Sequence, residues 1–135
     1  MILRRTALGL AVAATAVGAA RAQVGKVDRI DVVDAVPGVA GQQGAELSLT
    51  LRITGKPDGA IVSLREIWRP PSPGLRNPAT GAVRLESETE FKAPLNTNVR
   101  RAFALDQPWK VVRGEWVVEY WDGVRKMMQR KFVVQ

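Results

Sequence analysis

Three glutamates, Glu86, Glu88 and Glu90, are the residues best suited to bind a cation, because they alternate along one short segment. In a β-strand this spacing places all three carboxylates on one face. Calcium prefers several oxygen ligands that converge on one point, whereas strand neighbours of this spacing lie about 7 Å apart and point in parallel. The pattern therefore favours a solvated, charged strand beside Arg100 and Arg101 that protects a sheet edge. A cation site on this face stays the alternative.

The amino-acid composition excludes several kinds of catalysis. The chain contains no histidine and no cysteine, so imidazole acid–base catalysis, histidine metal sites and thiol chemistry are all excluded. It has no glycine-rich phosphate loop and no serine-nucleophile motif. The three glutamates are spaced for a solvated face and not for a cleft, so an enzyme that uses carboxylates alone is the least favoured function. The sequence predicts a protein that is not an enzyme, with no catalytic residue, cofactor or metal ligand.

A proline-rich segment spans residues 69–81 and contains four prolines and two glycines. Prolines at this density exclude a helix and a central strand, so the segment is predicted to be a long, stiff, extended loop. Loops of this length in a compact domain are often functional. A pre-ordered loop would present Arg69, Leu75 and Arg76 to a partner at low entropic cost. The alternative is a rigid connector between two sheets.

Tryptophan rings can stack on sugars, and three of the four tryptophans lie near the C-terminus, at positions 109, 116 and 121. Trp116 shares the alternating apolar face of its strand, so it is predicted to lie in the core. Trp121 adjoins a turn and is the best candidate for an exposed ring and a partner contact. Trp109 and Trp121 therefore support the alternative of a carbohydrate- or cell-wall-binding module.

Segments with apolar residues at every second position predict about seven β-strands and no helix after the N-terminal region. The segments are residues 26–36, 45–54, 60–68, 82–92, 97–105, 114–121 and the stretch that begins at 124. Short strands separated by Gly/Pro turns are typical of an all-β, immunoglobulin-like antiparallel β-sandwich, in which Trp68 on the third strand would be buried. A small closed barrel is the alternative.

The last two strands are predicted to form a hairpin that turns at Asp-Gly, residues 122–123. A three-residue loop would place Trp116 opposite Met128 and gather the aromatic and apolar side chains on one face. A two-residue loop would instead place Trp116 opposite Gln129. The three-residue loop is favoured, because a slip of one residue exchanges the two faces of a strand.

The N-terminus has the features of a secretory signal peptide over residues 1–22. Arg4 and Arg5 precede an apolar run at 7–20, and an A-x-A cleavage site ends before Gln23. The run is short for a membrane span, so a retained anchor helix is the less favoured alternative. Sec export is favoured over the twin-arginine route. Residues 23–135 would then form one exported domain, periplasmic or secreted, of the size that one core can support.

The basic net charge of +7 does not indicate a nucleic-acid partner. Part of it belongs to the predicted signal peptide, and the remaining chain has no basic run longer than two residues and no aromatic–basic recognition motif. No later segment is long and apolar enough for a transmembrane helix. Because the chain is free of cysteine, the domain must be stabilised by packing alone, and it is not a lipoprotein anchored through cysteine.

The C-terminal third contains a pattern that resembles a known family. The pattern is F-A-L-D-Q-P-W-K-V-V-R-G-E-W-V-V-E-Y at 103–120, followed by D-G and a strand ending K-F-V-V. It is similar to the signature of a family of exported bacterial domains of unknown function, an aromatic–aspartate segment, then G-x-W, then a closing strand with K-x-F-x-V. The resemblance implies an immunoglobulin-like sandwich in the bacterial envelope. It implies no activity and no site residues.

The sequence therefore predicts a non-catalytic, exported β-sandwich that acts by binding, with another envelope protein as the favoured partner. Sheet edges and the proline-rich segment would be the contact surfaces. The residues predicted to contact the partner are Arg69, Leu75, Arg76 and Trp121. The alternative partner is a carbohydrate or cell-wall glycan.

Overall fold

The computed structural model describes residues 24–35 and 45–135. The predicted signal peptide at 1–22 lies outside these residues. Within the described part, no helix is long and apolar enough to cross a membrane. That part forms nine strands and one short 3₁₀-helix, Pro108–Lys110. The strands are β1 Lys26–Ala35, β2 Glu46–Lys56, β3 Ile61–Arg69, β4 Leu75–Arg76, β5 Val83–Arg84, β6 Ser87–Pro94, β7 Asn98–Ala104, β8 Gly114–Asp122 and β9 Arg125–Val134.

Two antiparallel sheets and a short ribbon make up the fold. One sheet has the strand order β1-β2-β7, the other has the order β6-β3-β8-β9, and β4 pairs with β5 in a ribbon of two residues each. Six of the seven long strands match predicted segments, whereas the predicted strand 82–92 is divided between β5 and β6. Two separate sheets with their apolar faces turned inward make a sandwich, because each sheet must bury one face against another layer. The prediction of an immunoglobulin-like β-sandwich is confirmed.

Alternation along β2 shows how the sequence produces these layers. Leu47, Leu51 and Ile53 have no solvent exposure, and Leu49 is 2% exposed. β2 lies between β1 and β7 at the centre of its sheet, so its apolar face packs only against the opposite sheet. Side chains at every second position point to the same face of a strand, and one such face provides four core residues here.

An aromatic cluster fills the core between the sheets. Phe103 on β7 lies 5.7 Å from Trp68 on β3 and 5.3 Å from Trp116 on β8, measured between ring centroids. Trp68 also lies 5.7 Å from Phe132 on β9. Phe103 belongs to the three-stranded sheet and the other rings belong to the four-stranded sheet, so the cluster bridges the two layers. The predicted burial of Trp68 is confirmed, since it is 2% exposed.

The register of the β8–β9 hairpin differs from both predictions. Trp116 pairs with Phe132, neither with Met128 nor with Gln129. The turn has two residues between Asp122 and Arg125, and a bulge follows between Tyr120 and Trp121. The bulge adds one residue to β9 and restores the pairing of core-facing side chains with one another. The predicted face of Trp116 is therefore correct, whereas the predicted partners are wrong. The turn lies at Gly123–Val124 and not at Asp122–Gly123, and the bulge on β9 shifts the pairing by one further residue.

The two most buried tryptophans differ in hydrogen bonding, and this difference predicts their tolerance of substitution. The indole Nε1 of Trp116 donates to the carbonyl of Val112 at 2.8 Å. The Nε1 of Trp68 is buried without an acceptor among the described residues. Trp116→Phe should therefore lower the free energy of unfolding by about 1–3 kcal/mol more than Trp68→Phe does, since only the former removes a hydrogen bond. Urea denaturation of both variants measures this difference, and equal losses would contradict it.

Candidate binding cleft

A cleft of about 440 Å³ opens between the β4–β5 ribbon and the 3₁₀-helix. This volume lies in the range of ligand pockets, about 300–1,000 Å³. Its lining includes Asn77, Thr80 and Arg84 from the ribbon and its turn, Phe103 from β7, and Trp109 and Lys110 from the 3₁₀-helix. The cleft thus brings together the proline-rich segment and Trp109, which are separate features in the sequence.

The ribbon forms one wall because the proline-rich segment folds back on itself. Leu75 pairs with Arg84, and Arg76 pairs with Val83. The turn between them is closed by Asn77, whose backbone N–H donates to the carbonyl of Ala82 at 2.9 Å. The side chain of Asn77 accepts a hydrogen bond from the N–H of residue 79 at 2.9 Å, as asparagine commonly does in turns. The segment predicted as one extended loop is therefore partly a short hairpin.

The 3₁₀-helix forms the opposite wall. Pro108 begins it, and its fixed φ suits the first helical position. Lys110 donates to the carboxylate of Asp106 at 3.0 Å, and its ammonium lies 5.4 Å from the centroid of the Trp109 ring. The hydrogen bond from Lys110 holds the pKa of Asp106 below its ordinary value. Trp109 is half-buried, so its position is fixed while part of the ring stays accessible from the cleft.

The charged side chains that line the cleft are both positive. Arg84 and Lys110 both line it, and none of its lining residues is acidic. Lys110 is paired with Asp106, but the guanidinium of Arg84 has no hydrogen-bond or ion-pair partner within residues 24–35 and 45–135. A free guanidinium beside an aromatic wall is suited to a ligand that has both an anionic and an apolar part.

The four residues predicted as partner contacts lie in different surroundings. Leu75 packs in the core with 3% exposure, and it also contributes to the lining of the cleft. Arg76 is exposed and donates to the carbonyl of Gly81 at 3.4 Å. Arg69 and Trp121 lie away from the cleft, on the outer face of the four-stranded sheet. The structure therefore does not assemble these four residues into one site.

Arg69 and Trp121 are instead joined through Glu119. Arg69 donates from Nε and Nη2 to the two carboxylate oxygens of Glu119 at 3.3 and 3.4 Å, and the indole N–H of Trp121 donates to the same carboxylate at 3.0 Å. Burial raises the pKa of Glu119, but the hydrogen bonds from Trp121 and Arg69 outweigh burial, and the net pKa is below the ordinary value. The Arg69 guanidinium and the Trp121 indole N–H are thus already bonded to this carboxylate.

The three alternating glutamates each have a partner on the neighbouring strand. Glu86 accepts from Arg69 at 3.3 Å, Glu88 accepts from Arg65 at 3.0 Å, and Glu90 accepts from the Ser63 hydroxyl at 2.9 Å. β6 is an edge strand, as the charged-strand prediction requires. The predicted partners were wrong, because β6 pairs with β3 whereas Arg100 and Arg101 lie on the other sheet. No group of three metal-ligating side chains occurs among the residues described.

A buried cluster of Glu66, Arg101 and Tyr120 is the main polar feature that the sequence analysis missed. Arg101 on β7 donates from Nε and Nη2 to the two carboxylate oxygens of Glu66 on β3, both at 2.9 Å. The hydroxyl of Tyr120 donates to the same carboxylate at 2.7 Å. Glu66 is 2% exposed and Tyr120 is fully buried. The cluster therefore links the two sheets by a charge-assisted, bidentate pair.

The cluster also changes the acidity of its members. Burial raises the pKa of Tyr120 far above its ordinary value, and the Glu66 carboxylate raises it further. The hydrogen bond to Glu66 raises the pKa of Arg101. The guanidinium of Arg101 also lies 4.1 Å from the centroid of the Phe91 ring. The Glu66 carboxylate and the Tyr120 hydroxyl are thus hydrogen-bonded inside the molecule, which indicates a structural role.

Comparison with solved structures shows the class of the fold. An immunoglobulin-like protein from Pseudomonas aeruginosa is similar with a TM-score of 0.64 and 20% sequence identity, over 82% of this chain and 96% of that one. The alkylpurine DNA glycosylase AlkC from Pseudomonas fluorescens, bound to DNA with an abasic site analogue, is similar with a TM-score of 0.50 and 11% identity, over 79% of this chain and 30% of that one. At these identities the likeness shows an immunoglobulin-like fold alone.

A β-glucosidase from Erythrobacter marinus has a TM-score of 0.46 and 14% identity, and the similar region covers 82% of this chain and 15% of that one. No family model and no curated protein matches the sequence. The family that the C-terminal motif resembles therefore stays a prediction, whereas the immunoglobulin-like class is established by the fold.

Proposed function

We propose that this chain is a non-catalytic binding module of the bacterial cell envelope and that it binds another envelope protein through the cleft. The supporting observation is the position of Trp109, which is half-buried and lines the cleft together with Arg84, a residue whose guanidinium has no bonding partner within the described part of the chain. Tryptophan and arginine are the side chains that most often dominate binding energy at protein interfaces, especially where a pocket holds them. The cleft presents both residue types on one surface.

A binding role agrees with how the carboxylates are used. Glu66, Glu86, Glu88 and Glu119 all accept hydrogen bonds from arginines, and the pKa of Glu119 is lowered. General acid catalysis requires a carboxyl group whose pKa is raised towards neutrality. Glu119 is therefore a poor candidate for a general acid, and we propose that the chain is not an enzyme.

Export is the second element of the proposal. Residues 1–22 have the basic start, apolar run and small-residue cleavage site of a signal peptide. Cleavage before Gln23 would release residues 23–135 as one domain into the periplasm or the medium. The N-terminal sequence of the protein recovered from those fractions tests this directly. A mature chain that begins at Gln23 is expected, and retention of residue 1 in the membrane fraction would refute export by cleavage.

Capture from a periplasmic extract tests the binding proposal, with the two accessible tryptophans as a matched pair. Trp109 and Trp121 are both half-buried, but only Trp109 lines the cleft. Immobilised wild-type protein and Trp121→Ala should retain the same partner, whereas Trp109→Ala should lose it, because removal of an interface hot spot costs about 2 kcal/mol or more, roughly 30-fold in affinity. Equal capture by all three proteins would refute binding at the cleft.

A carbohydrate ligand is the second candidate, and the lining of the cleft supports it. The amide of Asn77 and the hydroxyls of Thr80 and Ser87 lie in the same lining as the ring of Trp109. Sugar sites commonly combine a stacking ring with such hydrogen-bonding groups. A change in tryptophan fluorescence on titration with cell-wall oligosaccharides, abolished in Trp109→Ala, would favour this candidate over a protein partner.

A further inference from the structure

We infer that the ligand of the cleft is an extended peptide segment in which acidic side chains stand next to apolar ones. The inference rests on the proposed function, because it takes the cleft as the binding site, and it adds the chemistry of the partner. Two observations support it, the sign of the charge around the cleft and the apolar surface on its rim.

The charge around the cleft favours an anionic ligand. Arg84 and Lys110 are the charged residues of the lining, and both are cationic. Lys110 shares its charge with Asp106, whereas Arg84 forms no side-chain bond to any residue in the part of the chain that the structure describes. A guanidinium binds a carboxylate in a bidentate manner with two parallel hydrogen bonds. An acidic group of the ligand would therefore accept hydrogen bonds from the guanidinium of Arg84.

The rim of the cleft favours a peptide over an acidic sugar. Val83, which lines the cleft, is 47% exposed. Inside the cleft the accessible walls are the rings of Phe103 and Trp109. This apolar surface can cover an apolar side chain next to a carboxylate bound by Arg84, and a peptide provides such a side chain whereas a uronic acid does not. Burial of this surface would be favourable by roughly 25 cal/mol per Å².

Isothermal titration calorimetry with two capped tetrapeptides tests the inference. In the first peptide aspartate alternates with leucine, and in the second asparagine replaces each aspartate. The acidic peptide is expected to bind about tenfold more tightly or better, since a hydrogen bond to a charged group contributes about 1.5–3 kcal/mol. Equal affinities would overturn the inference, and so would the absence of binding by both peptides. Tighter binding of a glucuronate oligosaccharide than of the acidic peptide would overturn it as well.

Two arginines of the ribbon provide a matched pair of variants. Arg84 lines the cleft, whereas Arg76 on the paired strand does not. Arg84→Gln should weaken the acidic peptide about tenfold and leave the neutral peptide unchanged, and Arg76→Gln should change neither. If the two substitutions weaken binding of the acidic peptide equally, the preference for it comes from the overall positive charge of the protein and not from Arg84. That result would overturn the inference.

The two proposals fail in different ways. If Trp109→Ala abolishes partner capture but acidic and neutral peptides bind alike, the cleft is the binding site and only the inference about ligand chemistry is wrong. If Trp109→Ala has no effect on capture, the proposed function itself is wrong.

Discussion

Arg101→Met is expected to lower the free energy of unfolding by about 3 kcal/mol or more, a large part of the stability of a domain of this size. The substitution keeps an unbranched apolar side chain above Phe91 but removes both hydrogen bonds to Glu66. Glu66 is 2% exposed, so water does not replace the lost donors. A buried carboxylate without its counter-charge is among the most destabilising defects in a protein core.

Two further variants show whether the cost comes from the uncompensated charge. Arg100→Met breaks the exposed ion pair between Arg100 and Glu46 and should cost about 0–1 kcal/mol. The double variant Glu66→Gln/Arg101→Met should recover roughly half of the loss or more, since glutamine is neutral and still accepts the hydrogen bond of Tyr120. Urea denaturation measures all three. A double variant as unstable as Arg101→Met would show that lost packing, and not the buried charge, causes the effect.

Tyr120 is expected to stay protonated in the folded protein well above pH 10, the usual pKa of tyrosine being about 10. Its hydroxyl is buried and donates to the Glu66 carboxylate at 2.7 Å, so a tyrosinate would be both desolvated and next to a negative charge. Tyr120 is the only tyrosine in the chain. The ultraviolet absorbance of tyrosinate therefore reports on this residue alone. Ionisation near the usual pKa without unfolding would contradict the burial of the hydroxyl.

The raised pKa of Tyr120 also predicts how stability depends on pH. Above the unfolded-state pKa of about 10, the unfolded chain releases a proton that the folded protein retains, so stability falls as pH rises, by about 1.4 kcal/mol per pH unit from this residue. Below about pH 10 the contribution of Tyr120 to the free energy of unfolding is fully present. Tyr120→Phe should remove this part of the fall in unfolding free energy above about pH 10. The part that comes from lysines remains in both proteins. Parallel pH profiles of the two proteins would contradict the prediction.

Strand positions and the main core residues were predictable from the sequence because a local pattern determines them. The alternation of Leu47, Leu49, Leu51 and Ile53 predicts one buried face without knowledge of any neighbour. Trp68 was predictable for the same reason. Pairing between strands was less predictable, since the register of the β8–β9 hairpin depends on a turn at Gly123–Val124 and on a bulge beside Trp121, and the alternating pattern specifies neither.

The Glu66–Arg101 pair could have been found from the sequence. Glu66 stands on the same strand face as Leu64 and Trp68, and Arg101 stands on the same face as Phe103. Two opposite charges on two otherwise apolar faces indicate a buried pair, because neither charge is stable in a core alone. The pattern does not show that the strands face each other across the sandwich, so the contact itself required the structure.

The cleft was predictable only in part. The proline-rich segment and Trp109 were both singled out, but they are about thirty residues apart and their proximity depends on the tertiary fold. The sequence predicts that Leu75 lies on an extended loop, whereas the segment forms part of the β4–β5 ribbon, in which Leu75 packs in the core and lines the cleft. Arg84 pairs with Leu75 across this ribbon and lies outside residues 69–81, so the loop prediction does not include it.

A ligand bound in the cleft should lie against the indole ring of Trp109, which lines it. The most direct test follows the four tryptophan indole N–H signals in a ¹⁵N–¹H correlation spectrum during titration with the acidic tetrapeptide, with each signal assigned by a Trp→Phe variant. Binding in the cleft should shift the signal of Trp109 progressively, while the signals of Trp68 and Trp116 stay in place. A spectrum in which Trp121 shifts and Trp109 does not, or in which no indole signal moves, would contradict it.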